Sequence, residues 1–282
     1  MRTALALTFA GTLTALALPA AVRAQEHSHA TPAAKAPALS PALAKALAAP
    51  NRDADRQRDV WRHPGETLAF FRVEPDMKVG EFAPGGGWYS RVLGNYLSPK
   101  GRIVGLFSSP GGDAKARDSA HAAAAAFPAQ VQGWTGRDVA GTQGLALDTV
   151  SDADRGSFDR ILVMRMMHNM MQGGHADSEL KALRDLLKRG GMLAIEQHRA
   201  PASADDAYSD GSKGYLRQAD VIRLVESAGF ELVASSEINA NPRDTADHPG
   251  GVWEMQPTWR TKRPELEKLG ESDRMTLLFR KR

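Results

Sequence analysis

Short apolar runs alternate along the chain with longer segments in which apolar residues recur at helical spacing. The short runs are bounded mostly by Gly, Asp, Ser or Lys, a pattern typical of buried strands. They predict strands at 78–82, 102–107, 158–166, 192–195, 230–235 and 274–279. Segments 177–189 and 217–228 have the periodicity of amphipathic helices. This alternation predicts a Rossmann-like α/β fold, a doubly wound and mostly parallel sheet with helices on both faces.

The segment 77–97 lies at the centre of this pattern. A strand over 78–82 ends at a turn, Ala83-Pro84-Gly85-Gly86-Gly87, and a helix follows from Trp88 onward. Glycine accepts positive φ and lets a ligand approach the backbone, and a helix start offers free N–H groups. The unit therefore predicts a ligand site of the nucleotide-binding type, with a simple tight connection as the alternative. The dinucleotide spacing G-x-G-x-x-G is absent.

Composition limits the classes of function. The 282 residues carry a net charge of +3 without a block of Lys or Arg, so binding to nucleic acid has no support. Hydrophobic residues make up 42% of the chain, which is enough for a packed core. Residues 25–54 are rich in Ala and Pro and predict a linker, followed by one domain over residues 55–282.

The first 24 residues predict export. Arg2 precedes an apolar run over 4–18, and small residues lead to Ala24, which is the pattern of a secretory signal peptide. We expect cleavage after Ala24 and a mature protein that is periplasmic or secreted, without stable membrane insertion after cleavage. An uncleaved anchor is the alternative, although the apolar run is short for a membrane span.

Ionisable side chains follow two of the predicted strands. His168 comes after the strand at 158–166, and Glu196 and His198 come after the strand at 192–195. Glu196 and His198 are two residues apart, so they point to the same side of an extended chain. At the carboxyl edge of neighbouring strands, these three would form a proton-transfer set or an incipient metal site. A structural role in hydrogen-bonding loop backbone is the alternative.

A long polar stretch over 236–253 has no periodicity. Long loops inside a domain are usually functional or disordered, and the aromatic, Asn, Asp and His content argues against disorder here. A second polar loop, 201–214, contains two glycines and is a candidate lid over a site.

The chain resembles the family of exported bacterial "predicted methyltransferases", within the class I S-adenosylmethionine (SAM) methyltransferase fold. The matching segments are Arg62-His-Pro64, Glu81-Phe-Ala-Pro-Gly-Gly-Gly-Trp-Tyr89, His168-Asn169, Glu196-Gln-His-Arg199, 236–244 and 270–276. The resemblance covers nearly all of residues 55–282 and implies a seven-stranded sheet with an antiparallel last strand. Two features depart from the usual fold motifs. Ala83 stands at the first of three glycine positions, and no acidic residue follows the strand at 102–107 to hold the ribose hydroxyls.

This resemblance implies SAM as cofactor and a small-molecule acceptor. The residues that would bind SAM are Glu81, Ala83, Pro84, Gly85, Gly86, Gly87 and Ser108. The residues that would bind the acceptor are Trp88, Tyr89, Asn169, Asn239, Asn241 and His248. His168 or His198, with Glu196, would take the proton of the acceptor, and no metal is required. The alternative is an exported protein that uses this fold for another small ligand, or for a metal at the strand ends.

Overall fold

The computed structural model describes residues 38–109, 113–136 and 141–282. The predicted signal peptide over 1–24 and the linker residues up to 37 lie outside these ranges. Within the ranges that the structure describes, no helix is both long enough and apolar enough to cross a bilayer.

Eight strands in the described residues form one mixed sheet. They are β1 (Lys78–Phe82), β2 (Arg102–Phe107), β3 (Gln143–Ala146), β4 (Phe158–Met164), β5 (Leu187–Ala200), β6 (Leu216–Arg217), β7 (Phe230–Ser236) and β8 (Arg274–Lys281). Their order is β3-β2-β1-β4-β5-β8-β7, and the short β6 pairs with the end of β5. All pairs are parallel except those of β8, which is antiparallel to both β5 and β7. The predicted doubly wound, mostly parallel sheet with an antiparallel last strand is confirmed.

Helices cover both faces of this sheet. The longer ones are α1 (Pro41–Leu47), α4 (Pro64–Phe70), α5 (Trp88–Tyr96), α6 (Ala114–Thr135), α7 (Met167–Gln172), α8 (Ala176–Leu186) and α10 (Gln218–Ser227). The single-turn helices are α2 (Asp53–Arg56), α3 (Asp59–Arg62), α9 (Asp206–Ser209) and α11 (Pro264–Glu267). One apolar cluster joins the sheet to α7, α8 and α10, and another joins it to α1, α4, α5 and α6. Successive residues of β4 alternate between the two clusters, so the clusters lie on opposite faces.

The described end of the predicted linker differs from the prediction. Helix α1 starts after Ser40, whose Oγ accepts from the Leu43 N–H at 3.2 Å. Leu43 and Ala46 are buried against α4 and α5, each 2% exposed. The physical reason is helical spacing, because Leu43, Ala46 and Leu47 form one apolar face.

Candidate functional site

The carboxyl ends of β1, β4 and β5 open into a cavity of about 550 Å³. Its walls are the glycine turn, the start of α5, the residues after β4, His198 of β5, Trp253, and the segment that contains α2 and α3. Predicted site residues in the lining are Glu81, Ala83, Pro84, Gly85, Gly86, Trp88, Tyr89, His168, Asn169 and His198. The structure thus brings most of the predicted SAM and acceptor residues together, at the edge where open α/β sheets bind ligands.

The glycine turn leaves part of its backbone open. Gly85 and Gly87 have φ of 57° and 74°, and Ala83 has φ of 48°, a region that non-glycine residues rarely adopt. A Cβ on Gly87 would overlap the ring of Trp134, whereas a Cβ on Gly86 would meet no atom within 4 Å. Gly86 therefore borders open space in which a ligand can approach the main chain.

Glu81 lies on β1 directly before this turn and is 3% exposed. The Ser90 hydroxyl of α5 donates to its Oε2 at 2.6 Å. Burial raises the pKa of Glu81 from 4.5 to about 7, although the hydrogen bond from Ser90 opposes that change. The carboxyl is therefore near its midpoint at neutral pH, and a cationic ligand group beside it would favour its charged form.

The rings of His168 and His198 meet in the cavity, with centroids 5.7 Å apart. Nδ1 of His168 lies 3.4 Å from Gln197 Oε1, and Nδ1 of His198 lies 2.6 Å from Ser272 Oγ. Burial lowers the pKa of both rings, and for His198 the neighbouring His168 lowers the pKa further. Both imidazoles are therefore neutral at pH 7, and each has one unprotonated ring nitrogen.

Glu196 pairs with arginines and a tyrosine. Its carboxylate is fully buried and accepts from Arg165 Nη1 at 3.0 Å and from the Tyr89 hydroxyl at 3.1 Å. Arg274 Nη1 lies 3.3 Å away. Burial alone would raise the pKa of Glu196, but Arg165 and Arg274 hold it below its ordinary value. A carboxylate stabilised in this way is a weak base, so the geometry favours an ion-pairing role over the predicted proton transfer.

A second buried carboxylate, Glu271, extends this arginine network. It accepts from Arg62 Nε at 2.9 and 3.0 Å, from Arg58 Nε at 2.7 Å and from Arg274 Nη1 at 2.9 Å. Burial favours the protonated form, but Arg62, Arg274 and Arg58 outweigh it and lower the pKa of Glu271 to about 2. The network joins the segment around α3 to the start of β8.

Trp88 begins α5 and forms part of the cavity wall. The guanidinium groups of Arg52 and Arg62 lie 5.2 and 4.7 Å from its ring centroid. Trp88 is 8% exposed, and its Nε1 has no hydrogen-bond partner among the described residues. A buried indole N–H normally has an acceptor. This orphaned donor is therefore consistent with a ligand that supplies one.

At the end of β2, Ser108 is accompanied by a carboxyl group. Its Oγ contacts Glu179 of α8, which is 6% exposed and whose pKa is raised by burial. Glu179 also lines a separate cavity of about 200 Å³, with Leu147 and Asp148 from the segment after β3. The acidic group that the sequence lacks after β2 is thus supplied in space by α8.

Three predicted acceptor residues lie outside the cavity lining and make internal hydrogen bonds. Asn239 Nδ2 donates to the hydroxyl groups of two threonines at 2.9 and 3.0 Å. Asn241 Nδ2 donates to two backbone carbonyls at 2.9 and 2.6 Å. His248 Nε2 lies 2.9 Å from Asp244 Oδ1. These side chains fix the loop over 236–253, and the structure does not bring them to the site.

The metal alternative gains no support from the described residues. Among them, no group of three or more His, Cys, Asp or Glu side chains is placed to hold a metal ion. Glu196 is engaged by arginines, which leaves His168 and His198 without a carboxylate partner from that strand end.

Nine lining residues were not among the predicted site residues, and four of them shape the chemistry of the cavity: Arg58, Arg62, Arg165 and Trp253. Arg58 and Arg62 are four residues apart in a charged segment, a spacing that places both on one helical face. Arg165 directly follows β4, and its φ of 59° marks a strained position beside the site. These local signals were available, whereas the position of Trp253 at the end of a long loop depends on the whole fold.

No protein-family model and no curated protein sequence match the chain. Among solved structures, it is similar to a SAM-dependent methyltransferase from Aquifex aeolicus, with 12% identity, TM-score 0.46, and coverage of 82% of this chain and 97% of that one. It is also similar to the [4+2]-cyclase SpnF, with 16% identity, TM-score 0.47 and 83% of each chain covered. A third is the Burkholderia thailandensis 1,6-didemethyltoxoflavin-N1-methyltransferase with bound S-adenosylhomocysteine, at 14% identity, TM-score 0.47, and 88% and 93% coverage. Likenesses this distant do not assign an activity.

Proposed function

We propose that this chain is a SAM-dependent methyltransferase that acts on a small molecule. The observation that carries the proposal is the unit of β1, glycine turn and α5, whose open backbone at Gly86 borders the 550 Å³ cavity. Glu81, directly before the turn, is a buried carboxyl that can ionise in response to a cation. SAM carries both a sulfonium and an ammonium group.

Each part of SAM has candidate partners among these residues. The backbone of residues 85–87 would hold the methionine part, close to Glu81. Ser108 and Glu179 would bind the ribose hydroxyls, and the 200 Å³ cavity beside Glu179 would take the adenine ring. When bound, SAM supplies an electrophilic methyl group.

The acceptor would lie against Trp88, Tyr89 and Asn169. Methyl transfer depends chiefly on alignment of the acceptor with the methyl group, so these walls contribute by positioning. The neutral imidazole of His168 or His198 accepts the proton that the acceptor heteroatom loses. Glu196, held by arginines, would instead fix Arg165 and Tyr89 in the wall.

Thermal unfolding with and without SAM tests the proposal. At a hundred times its Kd, SAM should stabilise the protein by about 2.7 kcal/mol. For a domain of this size the Tm should then rise by about 5–10 °C. Gly86→Trp should abolish the rise without loss of stability, because its side chain enters open space.

Gly133→Trp is the matched control, since Gly133 of α6 also has no atom within 4 Å of an added Cβ. It should keep the full response to SAM. If the wild type does not respond to SAM, or if Gly86→Trp responds as the wild type does, the proposed cofactor site is wrong. A fall in Tm on adding a chelator would favour the metal alternative instead.

We also propose that the protein is exported, on the strength of the signal-peptide pattern in residues 1–24. The protein should be recovered outside the cytoplasm with Gln25 as its first residue. Cell fractionation followed by N-terminal sequencing measures both. A cytoplasmic protein that starts at Met1 would contradict the proposal.

A further inference from the structure

A smaller cavity of about 190 Å³ lies beside the main one and shares four lining residues with it. The shared residues are Arg62, Arg165, His198 and Trp253. None of them is required to hold SAM over the glycine turn. The two cavities thus meet at a pair of guanidinium groups and two flat rings.

The charges in this region do not balance. Among the residues that the structure describes, Arg58, Arg62, Arg165 and Arg274 form ion pairs with just two carboxylates, Glu196 and Glu271, so this largely buried network has two more guanidinium groups than carboxylates. Nearby Asp55 is paired with Arg91, and Asp59 is paired with Arg52. Neither supplies the missing negative charge.

Two further observations indicate that this excess of positive charge lies at the cavity. Burial and the charge of Arg165 lower the pKa of Arg62 to about 9, against 12.5 ordinarily. Arg58 Nη2 is buried and has no hydrogen-bond partner among the described residues. Buried charged groups are normally paired, so an anion from outside would relieve both.

Aromatic rings line the cavities beside Arg62 and Arg165. The Trp253 ring lies 6.2 Å from that of His168, edge to face, and the His198 ring lies 5.7 Å from that of His168. Both cavities are bordered by Trp253. Aromatic rings favour offset or edge-on contact with another ring, so this wall suits a planar ligand.

We propose that the acceptor carries an anionic group, a carboxylate or a phosphate, on an aromatic ring. The anion contacts Arg62 and Arg165, and the ring lies against Trp253. This inference rests on the proposed function, since it describes the methyl acceptor. Arginine forks recognise both anions bidentately, which would also orient the ring toward the histidines.

Calorimetric titration of the protein, saturated with S-adenosylhomocysteine, tests this inference with two matched pairs of probes. The pairs are 4-hydroxybenzoate against 4-hydroxybenzamide, and phenyl phosphate against phenol. At least one anion should bind more tightly than its neutral partner by on the order of tenfold. The stronger pair identifies the anion as carboxylate or phosphate.

Arg165→Lys should weaken anion binding by on the order of tenfold, because Lys keeps the charge beside Glu196 but loses the bidentate fork. The control Arg223→Gln removes a charge from an exposed residue of α10 and should bind as the wild type does. Because Lys can still pair with Glu196, the Tm of Arg165→Lys should equal that of the wild type. With an unchanged Tm, weaker binding reflects the lost fork and not unfolding.

Equal affinity for anions and neutral partners would overturn the inference. So would displacement of the anion by S-adenosylhomocysteine, since the arginines would then belong to the cofactor site. Anion binding by a protein that fails to bind S-adenosylhomocysteine would support the anion site and overturn the methyltransferase proposal. The two failures are therefore distinguishable.

Discussion

Glu81 is a single carboxyl whose charge depends on what lies above the glycine turn. Its hydroxyl donor, Ser90, stabilises the ionised form, while burial favours the protonated form more strongly. The result is a pKa of about 7. At this position a small electrostatic change from a ligand switches the group from largely neutral to largely charged.

Replacing Glu81 by Gln should remove a pH dependence of stability. The pKa of Glu81 is about 7 in the folded protein and near 4.5 in the unfolded chain, so the folded state retains a proton that the unfolded state releases. As the pH rises from 4.5 to 7, the wild type should lose about 3 kcal/mol of unfolding free energy relative to Glu81→Gln. Urea unfolding of both proteins at pH 5 and pH 8 measures this. If the unfolding free energy changed with pH by the same amount in both proteins, the prediction would be contradicted.

Two adjacent glycines should respond differently to alanine. Gly87→Ala should cost about 1–2 kcal/mol or more, because φ is positive and the new Cβ would overlap Trp134. Gly86→Ala should change the unfolding free energy by less than about 0.5 kcal/mol, since the space is open. Urea unfolding of both variants provides the comparison. A larger loss for Gly86→Ala would show that the turn is packed differently.

Sequence reasoning located the site residues whose signal is local. Glu81 lies on β1 just before the glycine turn, His168 follows β4, and His198 lies near the end of β5, so the pattern of strands indicated one common edge. Glu196 lies near the end of β5, as the pattern predicts, but the arginines that hold it could not be predicted. Its partner Arg274 is remote in sequence, and the pKa of a buried carboxylate depends on such partners.

At the scale of elements, α1 shows how composition can mislead. Its Ala- and Pro-rich surroundings are typical of linkers, yet Leu43 and Ala46 dock it against α4 and α5.

Similarly, the loop over 236–253 has the polar composition of a binding loop. Its Asn and His side chains instead make hydrogen bonds within the protein, and these hold a loop that has little regular secondary structure. Six strands were predictable because burial leaves a continuous apolar run, whereas the short β3 and β6 and these loops had no such signal.

Truncating the docked face of α1 should destabilise the whole domain. Leu43→Ala removes a side chain that is 2% exposed, so it should cost about 2–5 kcal/mol. Val60→Ala is the control, because Val60 is 61% exposed, and it should cost less than about 0.5 kcal/mol. Urea unfolding measures both. Equal, small effects would mean that residues 41–47 behave as the linker that their composition predicts.

At the scale of the whole molecule, Glu271 ties distant parts of the chain together. It binds Arg58 and Arg62 from the segment before the sheet and Arg274 at the start of β8. Arg58 lines the main cavity, Glu271 lines the smaller one, and Arg62 lines both. The mostly parallel, doubly wound class of the sheet was predictable from the alternation of elements, but this closure was not, because it joins residues 209 positions apart.

Glu271→Gln should cost about 3–5 kcal/mol, since it leaves three arginines without their shared carboxylate. The pKa of Glu271 is about 2 when folded and near 4.5 when unfolded, so the carboxylate stabilises the protein above pH 4.5. The difference in unfolding free energy between Glu271→Gln and the wild type should therefore shrink as the pH falls from 4.5 toward 2. Urea unfolding at pH 7 and pH 3 measures it.

Glu231→Gln is the matched control, because Glu231 pairs with Arg280 at the surface and is 36% exposed. Its effect should stay below about 1 kcal/mol at both pH values. If Glu271→Gln resembled this control, the arginine network would contribute nothing to folding.

The late position of Glu271 affects the chain while it is being made. The ribosome adds residues in order, so Arg58, Arg62 and the glycine turn emerge long before the carboxylate that holds the arginines in place. A partly synthesised chain has the turn but lacks one wall of the charged cavity. The charged cavity therefore cannot be complete before Glu271 has been added, and a ligand that needs this wall cannot bind an earlier intermediate.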